Sequence, residues 1–229
     1  MSATQYDSYV RAEWTLFRAD PSRWSDSLGA VSGLEIRRVL DVGCGAGQEL
    51  LPFVVDKKSL GIGVDLSPEV GASGRTLYSQ SHPDARVSFA NARAEALPFV
   101  SSSFDVVICR VALPYMNNAH ALAEIARVTR GGGAVILKLH HWRYYWRKLV
   151  HSVLRLEALS AAHAARVLAA GTFYHLTGRQ LKVLWLGNET FQTRWLIGRE
   201  LGRVGLVIQR ELADSNPLTP AFLVSKDNR

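Results

Sequence analysis

The amino-acid sequence predicts an α/β fold built on a mostly parallel sheet, and three observations carry that prediction. Short, continuously apolar runs at 37–43, 59–66, 86–90, 104–111 and 133–141 alternate with helix-compatible stretches near 46–55, 68–80 and 117–130. That rhythm belongs to strands buried on both faces and joined by crossover helices. The run VLDVGCGAGQEL (39–50) sends an apolar strand directly into alternating glycines and then a helix. Finally, 229 residues with 48% apolar and 21% charged side chains suffice for one domain with a sizeable insertion, and are too apolar for a disordered chain.

Each element has its own justification. The first thirty-odd residues read as helical, an N-terminal cap over 1–35. Residues 36–141 hold the five apolar runs and form the expected core. Within it, RGGG at 130–133 is expected to end a helix and turn the chain into the fifth strand, because glycine enters left-handed conformations without penalty. Residues 142–189 break the rhythm and read as a helical insertion. Its 142–170 portion reads as a largely helical block, with Leu149, Val153 and Leu156 on one stripe and Leu154, Ala158, Ala161 and Ala165 on another. Residues 190–229 complete the single domain. A helix is expected from Thr190 to Gly205, then two strands, 206–212 and 221–227, joined by DSNPLTP.

Composition narrows the function classes. The net charge of +7 favours acidic partners, but a pI near 9.7 is common among soluble enzymes and does not by itself make a nucleic-acid binder. Two cysteines, Cys44 and Cys109, build neither a disulfide framework nor a zinc cluster, and no metal site is expected. The opening MSATQYDSYVRAEWTLF lacks a signal-peptide profile, and no run reaches the ~18 apolar residues of a membrane span. A reduced, cytoplasmic enzyme is the expectation.

The glycine run is the most informative stretch. Glycines at a strand-to-helix turn let backbone approach a ligand, while the helix start offers unpaired N–H groups. A second acid, Asp65, ends the next strand in GVDLSPE, eighteen residues beyond Gly47. A carboxylate there is placed to accept hydrogen bonds from ribose hydroxyls, so the ligand contains a nucleoside. The dinucleotide fingerprint is G-x-G-x-x-G, but Gly43, Gly45 and Gly47 read G-x-G-x-G, with Asp41 two residues before the first.

LDVGCGAGQ resembles the first motif of class I S-adenosylmethionine-dependent methyltransferases, and GVDLSPE resembles their second. ARAEALPFVSSSFDVVICRVALPYM is similar to the third and fourth, and LAEIARVTRGGGAVIL to the region leading into the fifth strand. The likeness spans roughly residues 37–140 and is nearest the ubiquinone and menaquinone methyltransferase group (the type-11 methyltransferase domain). It implies a Rossmann-like sheet with an antiparallel C-terminal strand, S-adenosyl-L-methionine as cofactor and S-adenosyl-L-homocysteine as product. It also implies that Asp41 and the backbone of Gly43, Cys44, Gly45 and Gly47 hold the methionine end, with Gln48 close by. Asp65 takes the ribose hydroxyls, Leu66 packs on the adenine, Arg93 and Ala94 match positions that read the adenine edge, and Arg110 lies beside the methionyl group. Many members carry Asp at the position of Arg93; an arginine cannot accept from the adenine amino group.

Methyl transfer from a sulfonium needs alignment, exclusion of water and, for an oxygen acceptor, removal of a proton. Candidate catalytic groups lie near the carboxyl ends of the strands: Tyr115 after the fourth, His140 and His141 at the end of the fifth. The two histidines cannot both face the pocket if the strand continues through them. Enzymes that methylate base nitrogens resemble one another in an Asn/Asp-Pro-Pro-Tyr/Phe motif after strand four. This chain has RVALPYMN, which argues against a DNA-base target. The insertion carries Arg143, Arg147, Lys148, Arg155, Arg166, Arg179 and Lys182 against Glu157 and Glu189. It reads as an acceptor lid, over either a small anionic or aromatic acceptor or a phosphate-rich surface such as RNA or a membrane-held quinone precursor. A plain amphipathic helix with a solvated basic face is the structural alternative. The expected activity is O- or N-methylation of a small molecule; the alternatives are an RNA or lipid-precursor methyltransferase and a cofactor-binding protein without transfer activity.

Overall fold

A computed structural model describes residues 3–181 and 188–226. Seven strands form one sheet in the order β3-β2-β1-β4-β5-β7-β6. β1 (Arg38–Val42), β2 (Leu60–Asp65), β3 (Val87–Asn91), β4 (Phe104–Arg110) and β5 (Thr129–Lys138) run parallel; β7 (Ala221–Lys226) pairs antiparallel with both β5 and β6 (Leu206–Glu211). Strand alternation divides the apolar side chains between two core layers. Leu40, Val42, Val107 and Leu137 face α5 (Asn118–Val128) and α8 (Arg194–Gly202), whereas Val39, Val106, Ile108 and Ile136 face α1 (Ala3–Ala19) and α3 (Leu51–Val55).

The N-terminal residues are helical, as the pattern suggests, in two pieces. Asp20 accepts from Ser22 N and Pro21 opens α2 (Pro21–Ala30), the usual chemistry of a helix start. α1 buries Val10, Trp14 and Phe17, and Trp14 meets Tyr78 of α4 (Pro68–Ser81) edge-on at 4.9 Å.

Three local expectations differ from the structure. RGGG does not separate a helix from a strand: α5 ends at Val128, and β5 already begins at Thr129, opposite Phe104. The register then slips, because Val106 pairs with Ala134, and the glycines buckle outward as a bulge with Gly132 at φ 70°. The helical block 142–170 is two antiparallel helices, α6 (Trp142–Leu154) and α7 (Ala158–Thr177), parted at Leu156, whose φ of 58° no helix tolerates. The helix expected from Thr190 starts at Arg194, where the Thr193 hydroxyl accepts from Leu196 N.

Candidate active site

The carboxyl ends of β1, β2, β4 and β5 open into a cavity of about 980 Å³, whose wall α1 and α2 complete. That is at the upper end of the ~300–1,000 Å³ typical of small-molecule sites. Gly43, Gly45 and Gly47 all have positive φ, at 73°, 52° and 78°. At Gly43 a β-carbon would also lie 2.4 Å from the Ala112 β-carbon, so the loop and the turn after β4 fit together only without a side chain there. Gly43, Cys44, Gly45 and Gln48 line the cavity; Gly47 does not. It sits behind the loop, where a β-carbon would be 2.9 Å from the Phe89 ring and its carbonyl accepts from the Tyr78 hydroxyl at 2.7 Å. Its place is in helix–sheet packing, not in ligand contact.

Asp41 is buried in the cavity wall with Oδ2 lacking any hydrogen-bond partner, and Gln48 Oε1 is orphaned in the same way. Burial, with the charges of Glu49 and Asp65 behind it, pushes the Asp41 carboxyl well above the carboxylate range. Such an acceptor fits a cationic hydrogen-bond donor, as an amino-acid ammonium would be. Asp65 accepts from Gly45 N at 3.1 Å and Ser67 N at 3.0 Å, which fixes its carboxylate at the wall between Leu66 and the loop. Ala94 is buried in the wall. The Arg93 side chain is 61% exposed, lies 3.6 Å from Glu95 and, like Glu95, lines the cavity.

Arg110 is 8% exposed and has carboxylates on two sides, Glu49 at 3.2 Å and Asp214 in direct contact. Burial opposes its charge; Glu49 and Asp214 outweigh burial, and the guanidinium stays ionised. Arg23 of α2 also holds Glu49, at 2.8 Å, and Lys138 holds Asp214, also at 2.8 Å. This alternating chain ties the N-terminal cap, the loop, β4, β5 and the β6–β7 connection together beneath the ligand space. Sequence reasoning missed Arg23, Glu49, Lys138 and Asp214. Glu49 lies inside the glycine motif, but Asp214 has no local signal at all.

Tyr9, Tyr115, Tyr144 and His140 also line the cavity. The His140 ring stacks on Tyr144 (4.4 Å between centroids, 7° between planes) and meets Tyr115 edge-on at 6.3 Å. His140 Nδ1 lies 3.1 Å from the Tyr145 hydroxyl, and that hydroxyl donates to Glu189 Oε1 at 2.8 Å. Because the tyrosine proton points at Glu189, Nδ1 must be the protonated nitrogen that donates to Tyr145, which leaves Nε2 bare. Glu189 is held in turn by His163 at 3.0 Å and Arg166 at 3.8 Å. Burial pushes His140 down to about 4, so it is neutral across the physiological range. Burial, followed by the Glu189 charge, raises Tyr115 far above its ordinary value, which makes it a proton donor rather than a base.

His141 is elsewhere. It caps α6, accepting from Arg143 N at 3.4 Å, and is not part of the cavity wall. Strand alternation thus sends the neighbouring histidines to different tasks. Both cysteines are buried, and burial raises Cys44 well above the thiol range and Cys109 to about 12. The wall holds eight carboxylates against four cationic side chains, and Arg143, Arg147, Lys148, Arg155 and Arg166 are not in it. The chain's surplus positive charge lies outside, which removes the ground for an anionic acceptor under a basic lid.

Residues 39–133 match the family described as a methyltransferase domain. The core is a class I S-adenosylmethionine-dependent methyltransferase domain. An uncharacterized methyltransferase of Bacillus subtilis is 35% identical over 105 residues, covering 45% of this chain and 41% of that protein. A demethylmenaquinone methyltransferase of Renibacterium salmoninarum is 33% identical over 138 residues, or 59% of this chain and 54% of that one. The chain thus spans about half or less of the length of these curated relatives. Among solved structures, a chain from the complex between the Haloferax volcanii Trm112 methyltransferase activator and a methyltransferase superposes with a TM-score of 0.63. It is 17% identical, with 97% of each chain covered, and shares the fold. In this methyltransferase core the orphaned Asp41 carboxylate and the open glycine loop fit the amino-acid end of the cofactor, and Asp65 fits its ribose.

Proposed function

We propose that this chain transfers the methyl group of S-adenosyl-L-methionine to a hydroxyl of a small aromatic molecule, with His140 taking the acceptor's proton at Nε2. The observation that carries this reading is the His140–Tyr145–Glu189 chain, which leaves Nε2 bare on a histidine that lines the same cavity as the glycine loop. When bound, the cofactor supplies a methyl group already activated on a sulfonium. Asp41 orients the ammonium end, Asp65 holds the ribose, and Leu66 and Ala94 flank the adenine. Tyr9, Tyr115 and Tyr144 offer ring faces and edges to an aromatic acceptor. The hydroxyl proton turns acidic only as the new carbon–oxygen bond forms. A neutral histidine, unprotonated at rest, is therefore a competent acceptor, and the buried Glu189 charge stabilises the resulting imidazolium through Tyr145. The acidic wall suits a cationic cofactor and a neutral acceptor.

The test has two stages. Calorimetry with S-adenosyl-L-methionine and S-adenosyl-L-homocysteine should show binding that Asp65→Ala weakens. A panel of phenolic and alcoholic acceptors, read by mass shift, should then reveal transfer. His140→Ala should retain cofactor binding and lose ~10²–10⁴-fold in turnover. No cofactor binding at millimolar concentration overturns the whole reading; binding without transfer to any acceptor points to a cofactor-binding protein; undiminished turnover in His140→Ala removes the base.

A further inference from the structure

The α6–α7 hairpin carries a surface that neither the cavity nor the core uses. On α6, Trp142, Trp146, Val150 and Val153 follow one another at helical spacing, and all four are exposed. One residue further round, Arg143, Arg147, His151 and Arg155 form a second exposed stripe. An apolar ridge and a basic ridge therefore run side by side along the same helix, opposite the buried Tyr145 and Ser152. At the turn between the helices Leu154, Leu156 and Leu159 are 78%, 91% and 89% exposed. The outer face of α7 continues the apolar surface through Ala162, Ala165, Ala169, Phe173 and Leu176.

Leu156 sharpens the point. Its φ of 58° is a left-handed conformation suited to Gly or Asn, and a bulky aliphatic there is a conformational outlier. Neither the backbone nor the core calls for leucine at this position, since the residue is almost fully exposed. Charge is as one-sided as hydrophobicity: from 142 to 181 the chain has six Lys and Arg residues and one acid, Glu157. Among the described residues no helix is long and apolar enough to cross a membrane.

We propose that the tip of the α6–α7 hairpin docks on the surface of an anionic lipid bilayer. Leu154, Leu156 and Leu159 enter the acyl boundary, Trp142 and Trp146 lie at the interface, and the arginine stripe meets head-group phosphates. Apolar and basic ridges side by side are the combination that interfacial binding requires. A nucleic acid would use the arginines and leave the leucines in water. An apolar protein groove would cover the leucines and have no need of the basic stripe. Because both ridges lie outside the cavity, the inference stands independently of the acceptor.

The intact chain is sedimented with phosphatidylcholine vesicles, with and without phosphatidylglycerol. It should bind only the anionic vesicles. Arg143→Gln/Arg147→Gln/Arg155→Gln should weaken that binding on the order of a hundredfold, about fivefold for each charge removed near the surface. Leu154→Ser/Leu156→Ser/Leu159→Ser should abolish it while thermal melting and cofactor binding stay unchanged, since these side chains are exposed. Three results would overturn the proposal. They are anionic-vesicle binding that the serine variant retains, no vesicle binding by the parent chain, and a tip-dependent dimer in sedimentation velocity that disappears in the serine variant without a change at vesicles. RNA binding that the serine variant retains, in a chain indifferent to vesicles, would reassign the basic stripe.

Discussion

Tyr145→Phe is the most discriminating perturbation of the acceptor end, because it removes one oxygen and leaves the fully buried ring in place. That oxygen receives a hydrogen bond from His140 Nδ1 at 3.1 Å and gives one to Glu189 at 2.8 Å. Each partner is then stranded in a buried setting, at ~1–3 kcal/mol apiece. Glu189 keeps His163 and Arg166, so the total should fall near ~3 kcal/mol, a drop of about 6–12 °C in melting temperature for a chain of this size. The chemical effect is separate. Long-range ¹H–¹⁵N correlation at neutral pH should show His140 protonated at Nδ1 and bare at Nε2 in the parent, and a mixture of tautomers in the variant. Turnover should fall about 10- to 100-fold, less than in His140→Ala, where the proposed base itself is gone. Cofactor affinity should not change, because Tyr145 is not in the cavity wall. Two results would refute the reasoning: a parent His140 protonated at Nε2, or a variant that melts early but keeps full turnover.

Three further outcomes follow from the same geometry. Gly43→Ala must adopt φ 73° against the Ala112 side chain, at ~1–2 kcal/mol for the conformation alone, and should lower the melting temperature and weaken cofactor binding in calorimetry. Asp214→Ala removes a carboxylate held by Arg110 and Lys138 and, since Glu49 still holds Arg110, should cost ~1–3 kcal/mol in urea unfolding. In the parent, burial raises Asp214 but the two cations more than reverse it, so its contribution exists above the ordinary carboxylate pKa and fades as pH drops below it; the variant should lack that acid-side loss. His140, held at about 4 against an ordinary 6.5, binds its proton more readily in the unfolded chain. Stability should therefore fall between pH 6.5 and about 4 by at most ~3 kcal/mol, and His140→Gln should flatten that slope in pH-dependent melting.

What could be read from the sequence was what a few adjacent residues decide. The alternating glycines, Asp41 and Asp65 were legible because a strand running into a tight turn needs that chemistry locally. The break at Leu156 was not, because Arg155–Leu156–Glu157 contains neither glycine nor proline, and Leu149, Val153 and Leu156 keep a helical period that reads as core. Nor could the pattern reveal that the Val153 and Leu156 side chains face water, since periodicity reports a face and not what covers it. Asp214 reaches Arg110 across 104 residues, and Glu189 reaches Tyr145 across 44, so both contacts are set by the sheet's topology and not by spacing.

The stretch KLHHWRYYWRKLVH shows how closely function hangs on register. While β5 and its extension keep the strand period of two, Lys138 and His140 fall on the cavity side, Leu139 is buried in the core and His141 turns away to cap α6. From Trp142 the period becomes 3.6, which returns Tyr144 to the cavity, puts Tyr145 beneath His140 and sends Trp142 and Trp146 outward. A slip of one residue in β5 would exchange the two histidines, detach Lys138 from Asp214 and point the Tyr145 hydroxyl away from Glu189. The antiparallel pairing of β5 with β7, from Ala134 with Ser225 to Lys138 with Ala221, is what prevents that slip, and Leu139 N and His141 N extend it to the carbonyls of Pro220 and Leu218. The C-terminal hairpin therefore does more than close the sheet: it fixes which histidine lines the cavity.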